Sequence, residues 1–174
     1  AFAASGGYLT VTVTVDPTVK IGVWNVDANG NWSDGTKWSS NPNVPGSPGP
    51  GDSATFGVGT AYRIVTNDAP ESVGGIRFTN NNSFLIATGA GTLTLNNKGG
   101  QAPIYVTGGT SNTIQAAVGV TNSSLINVGS GKSLAFSGTV SSVNIAQPAT
   151  LTVNGAGTVA LLGSNTYGPA AGSV

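Results

Sequence analysis

Between residues 84 and 161 short apolar runs recur with polar, glycine-containing punctuation, and this rhythm limits what the chain can become. The runs fall at residues 84–86, 93–95, 104–106, 114–118, 125–128, 134–136, 143–145, 151–153 and 159–161, with centres about eight to eleven residues apart. Strands at that spacing build either a β-sandwich or jelly roll, or a solenoid in which two or three strands make one coil. No segment carries an apolar period near 3.6, so the expected fold class is all-β.

Ahead of this region lies the cleanest alternation in the sequence. Tyr8-Leu9-Thr10-Val11-Thr12-Val13-Thr14-Val15 puts Leu9, Val11, Val13 and Val15 on one face of a strand and hydroxyl-bearing residues on the other. Asp16-Pro17 stops it. Further on, Pro42, Pro45, Pro48 and Pro50 with Gly46, Gly49 and Gly51 cannot form a ladder, which predicts a surface loop over residues 41–52.

Composition narrows the chemistry. The 174 residues hold six basic and six acidic side chains and a net charge of zero, so the basic surface of a nucleic-acid binder is missing. Cys and His are both absent, which removes disulfides, thiolate zinc sites and the commonest general base. Met is absent too, and the opening Ala1-Phe2-Ala3 has the small-x-small look of a signal-peptide junction, so an exported, extracellular or cell-surface protein is expected. No apolar stretch approaches the ~20 residues of a membrane helix.

Two blocks carry a family likeness. The first is Gly155-Ala156-Gly157-Thr158-Val159-Ala160-Leu161-Leu162-Gly163-Ser164-Asn165-Thr166-Tyr167-Gly168, a glycine-flanked strand with an Asn-Thr-Tyr turn. The second begins at Trp24 and continues through Gly30-Asn31-Trp32-Ser33-Asp34, Lys37-Trp38, Gly51-Asp52-Ser53-Ala54-Thr55-Phe56 and Val73-Gly74-Gly75-Ile76-Arg77-Phe78. Together they resemble the autotransporter-associated β-strand repeat of secreted bacterial β-solenoid surface proteins. The resemblance covers residues 24 to about 168 and implies a right-handed parallel β-solenoid with a tryptophan-rich N-terminal cap; residues 1–23 fall outside it, and the alternation at 8–15 makes them an N-terminal extension strand. Residues 24–174 then form a single β-rich domain. Asn and Gly at the turns, as in Asn96-Asn97, Gly108-Gly109 and Asn154-Gly155, suit the left-handed corners of stacked coils. After Tyr167 the chain departs from the family pattern, reading Gly168-Pro169-Ala170-Ala171 in place of Thr-Gly-Gly and a further strand.

Several motifs have a plain reading beside a chemical one. Gly129-Ser130-Gly131-Lys132-Ser133 ends like a phosphate-binding loop, but Ile126 stands where its first glycine belongs and a strand follows where a helix is required, so a turn is expected. Asp27, Asn29, Asn31 and Asp34 alternate oxygen-bearing side chains as calcium loops do, yet Trp32 replaces the glycine of the sharp turn and no Glu closes the loop. These four remain weak metal candidates. Trp24, Trp32 and Trp38 either cover the solenoid's end or form a platform on which sugar rings stack.

Catalysis by acids needs two carboxylates at a set separation. Asp16, Asp27, Asp34, Asp52 and Asp68 each occupy an ordinary turn position and Glu71 stands alone, so no enzyme, no cofactor and no catalytic residue is expected. The expected function is structural: a secreted protein that self-assembles into a filament, sheath or surface layer, with Leu9, Val11, Val13 and Val15 as a donor strand laid against another copy. The competing expectation is a glycan-binding adhesin or passenger module that uses the tryptophans, and a polysaccharide-acting enzyme stands behind both.

Overall fold

The computed structural model describes residues 19–47, 49–143 and 149–166, and within them every ladder between strands is parallel. The strands are β1 (Ile21–Trp24), β2 (Gly30–Asn31), β3 (Asp52–Phe56), β4 (Arg63–Asn67), β5 (Glu71–Phe78), β6 (Phe84–Thr88), β7 (Leu93–Leu95), β8 (Ala102–Val106), β9 (Asn112–Ile114), β10 (Val118–Val120), β11 (Ser124–Val128), β12 (Ser133–Phe136), β13 (Val140–Ser142), β14 (Leu151–Asn154) and β15 (Thr158–Leu161). The chain is all-β, and one 3-10 turn at Gly35–Lys37 is the only helical element among the described residues.

Parallel strands cannot be joined by tight hairpins, and here no helix makes the crossovers. The chain instead winds as a solenoid, visiting three faces in turn. The first face stacks β2, β4, β6, β9, β12 and β15. The second stacks residues 71–73 of β5 with β7, β10 and β13. On the third lie β1, β3, residues 76–78 of β5, β8, β11 and β14. Strand β5 therefore serves two faces and turns a corner at Gly74-Gly75. A Cβ on Gly74 would stand 2.6 Å from the carbonyl oxygen of Gly51, so the corner closes without a backbone shift only with glycine.

Alternation along each strand sends every second side chain inward, and the parallel register stacks those side chains in columns. One column runs Ala54, Ile76, Ile104, Ile126 and Val153. Another runs Val65, Ile86, Ile114, Phe136 and Leu161. All but the last member of each column are buried. Each such aliphatic or aromatic side chain contributes roughly 1.5–3 kcal/mol on burial, which gives the stack its main stabilisation. Near the N-terminal coils the filling becomes aromatic: Phe56 stacks on Phe78 with centroids 5.2 Å apart and planes at 20°.

Three expectations meet a different structure. The run at residues 114–118 straddles a corner, since β9 ends at Ile114 and β10 begins at Val118. The proline-rich segment is not wholly a surface loop: Val44, Pro45 and Gly46 are buried, and they close the second face of the first coil where no strand is present. Ser72 N–H donates to Gly46 O at 3.2 Å, so this loop continues the ladder of β5 in place of a strand. Strand β1 begins at Ile21, inside the segment expected to be an extension, whereas residues 8–15 with Leu9, Val11, Val13 and Val15 lie outside the described residues.

Candidate functional site

The N-terminal coil gathers the tryptophans. Trp24, Trp32 and Trp38 are 0%, 0% and 1% exposed. Trp24 meets Trp38 edge-on at 5.2 Å, Trp32 lies 5.1 Å from Trp38, and both Trp32 and Trp38 contact the ring of Phe56. Burying an indole requires a partner for its N–H. Trp32 Nε1 donates to Pro45 O at 2.9 Å, Trp38 Nε1 to Trp32 O at 2.7 Å, and Trp24 Nε1 to Ala28 O at 3.2 Å. Sugar stacking needs a ring face open to solvent, and none of these three rings offers one.

The same segment covers the outer edge of the first strand. Residues 37–39 run antiparallel to β1: Ser39 N–H donates to Val23 O at 2.8 Å, Asn25 N–H to Lys37 O at 2.7 Å, and Ser39 Oγ accepts from Val23 N–H at 2.9 Å. A 3-10 turn makes this reversal, and Asp34 caps it by accepting from Thr36 N–H at 3.0 Å. The edge of β1 is thus paired, as exposed strands require.

Asp27, Asn29, Asn31 and Asp34 do not converge on one point. Asp27 accepts from Thr60 N–H at 2.8 Å, Thr60 Oγ1 at 2.5 Å and Arg63 Nε at 2.8 Å. Those bonds, led by the Thr60 hydroxyl, hold its pKa at about 2. Asn29 Oδ1 accepts from Ile64 N–H, and Asn31 sits in β2 opposite Thr66. The Asp34 carboxyl is held below its usual range by the Thr36 hydroxyl. Asp27 and Asn29 brace one coil against the next, Asp34 acts within its own turn, and no group of three or more carboxylates among the described residues is placed to hold a metal.

Two acids carry more structure than their turn positions suggest. Asp52 is buried and bridges the chain, accepting from Lys20 N–H at 2.7 Å and from Gly46 N–H at 3.0 Å. Glu71 is only 3% exposed, and its Oε2 has no hydrogen-bond partner. Burial, then the charges of Asp68 and Asp52, push its carboxyl up to about 7. It lines an open hollow of about 310 Å³ with Gly46, Ser47 and Thr94. The sequence held one signal for this: Glu71 has the same parity in its strand as buried Val73.

The Gly129–Lys132 region is a turn between β11 and β12, with Lys132 N–H bonded to Gly129 O at 3.1 Å and Gly131 at φ 69°. No helix follows it.

The C-terminal end of the solenoid differs from the N-terminal one. The difference lies on the third face, where among the described residues β14 pairs only with β11 and has no counterpart of the cover on β1; on the first face each end strand pairs with one neighbour, β2 with β4 and β15 with β12. No helix among the described residues is long and apolar enough to cross a membrane. Comparison with protein-family models, with curated proteins and with solved structures found no match to this chain.

Proposed function

We propose that this protein is an extracellular structural protein that assembles with copies of itself into a filament, sheath or surface layer. The observation that carries the reading is the inequality of the two solenoid ends on the third face. At the N-terminal end the edge of β1 is paired by residues 37–39 and the coil is filled by three tryptophans. At the C-terminal end β14 presents an unpaired edge among the described residues. An uncharged open strand edge recruits another strand, and a rung repeat can be extended by one more rung without new chemistry.

Charge and composition support the same reading. The chain has no Cys, Met or His to oxidise or titrate, and few charges to solvate its faces. Its resemblance to secreted repeat proteins supports export. An adhesin that stacks glycan on the tryptophans is disfavoured by their burial.

Sedimentation velocity and negative-stain electron microscopy of the whole chain at neutral pH test the proposal. Elongated oligomers whose length rises with concentration are expected. A discrete monomer at every concentration overturns it.

A further inference from the structure

The geometry points to the outer edge of β14 as the acceptor for residues 8–15 of a second copy. This inference rests on the self-assembly reading and adds where the copies meet. The inward column that begins at Ala54 stays fully buried through Ile76, Ile104 and Ile126, each 0% exposed, and then opens at Val153, which is 53% exposed. On the first face the same break occurs: Phe136 is 1% exposed, and its neighbour Leu161 one rung later is only partly buried. Core positions of one more rung are therefore missing their cover at this end.

Edge strands are ordinarily blunted by charge, and this one is not. From Ser133 to Val174 there is no Asp, Glu, Lys or Arg. The segment from Ala1 to Val15 has none either, and its Leu9, Val11, Val13 and Val15 share one face. Laid parallel to β14, those residues would carry the aliphatic column on by one rung while the backbone groups of both strands pair. Residues 167–174 are a poorer filling: Pro169 lacks an N–H, and the remainder are small apart from Tyr167 and Val174.

One edge in the donor's own subunit is already taken over residues 23–25, where the outer edge of β1 is bonded to residues 37–39. Val15 and Ile21 are six peptide steps apart, a reach of about 20 Å at roughly 3.4 Å per residue. That is roughly four rung spacings of about 4.8 Å, enough to step past the cover and onto a copy stacked beyond it. Copies joined in this way run head to tail, the closed end of one on the open end of the next.

Complementation between two full-length variants tests the pairing. A Val11→Asp/Val13→Asp chain has no usable donor, and a Val153→Asp chain has no usable acceptor. Circular dichroism matching the parent confirms that each folds, which Val153→Asp should do because the side chain is half in solvent. Each variant alone should be monomeric, and an equimolar mixture should give a one-to-one dimer and nothing longer, since the first chain still accepts and the second still donates. Wild-type-like polymers from the Val153→Asp chain, or a mixture that stays monomeric while the parent polymerises, overturn the proposed contact and leave self-assembly standing. A parent chain that never associates overturns both.

Discussion

Trp32 and Pro45 are joined by a buried hydrogen bond of 2.9 Å from the indole Nε1 to the prolyl carbonyl. The bond ties the tryptophan block to the proline-rich loop, so the two most irregular parts of the sequence form one piece of core. The loop can take the place of a strand on the second face because its inner side packs on indole.

Trp32→Ala should therefore destabilise the protein by about 3–5 kcal/mol, the usual cost of truncating a buried aromatic. Trp32→Phe keeps much of the apolar area but leaves Pro45 O unsatisfied, at about 1–3 kcal/mol. Urea denaturation of both variants gives the order. Equal stability of Trp32→Ala and the parent would show that the cluster is not the cover of the first coil.

Corner geometry yields a sharper contrast between two glycines. A Cβ at Gly74 meets Gly51 backbone at 2.6–2.7 Å, whereas a Cβ at Gly49 meets nothing within 4 Å. Backbone cannot swing aside as the end of a flexible side chain can. Gly74→Ala should cost about 1–3 kcal/mol, as overpacking does, and Gly49→Ala should stay within about 0.5 kcal/mol of the parent. Thermal melts of the two variants side by side decide it.

The strand rhythm was legible because period-two burial is a local property. Residues 84–86, 93–95, 104–106, 125–128, 134–136, 151–153 and 159–161 all fall in strands of the solenoid. What local pattern could not give is the pairing partner, which stands 22 residues ahead for Ile104 with Ile126 and 28 behind for Ile104 with Ile76. Corners hide for the same reason: Ala116 is as buried as a strand residue, so the run at 114–118 reads as continuous. The inward Val44 and Pro45 were illegible because turn chemistry places prolines at the surface, while here the indole of Trp32, 13 residues earlier, bonds Pro45 O inside the core. Asp68 precedes Glu71 by three residues in the chain, but only stacking of β3 on β5 adds the charge of Asp52.

Charge is divided along the chain in a way that bears on assembly. Residues 1–71 hold six acids against Lys20, Lys37 and Arg63, a formal sum of −3, and residues 72–174 hold only Arg77, Lys98 and Lys132, a sum of +3. Head-to-tail contact brings opposite ends together, so the association rate should fall from low to high salt as charges beyond about 8 Å become screened. Light scattering over a salt series measures it, and a rate that rises or holds steady would show that attraction between the ends does not steer encounter.

Glu71 makes stability depend on pH in a defined direction. Its folded pKa of about 7 exceeds the ordinary 4.5, so between those values the folded state holds a proton that the unfolded state has released. Stability must then fall as pH rises from about 4.5 to about 7, and flatten above, by up to about 3 kcal/mol. Asp27 works in a separate window with the opposite sign: its pKa of about 2 lies below the ordinary 3.8, so the stability it adds is present above that value and lost as pH falls through 2. Asp34 and Asp68, also lowered, act in the same acid range. Replacing Glu71 by Gln keeps the shape and removes the titration. The Glu71→Gln chain should show a flat urea midpoint between pH 5 and about 8 and exceed the parent at the alkaline end of that range. If the variant keeps the parent's slope, the proton is held elsewhere and the unpartnered Oε2 is not its seat.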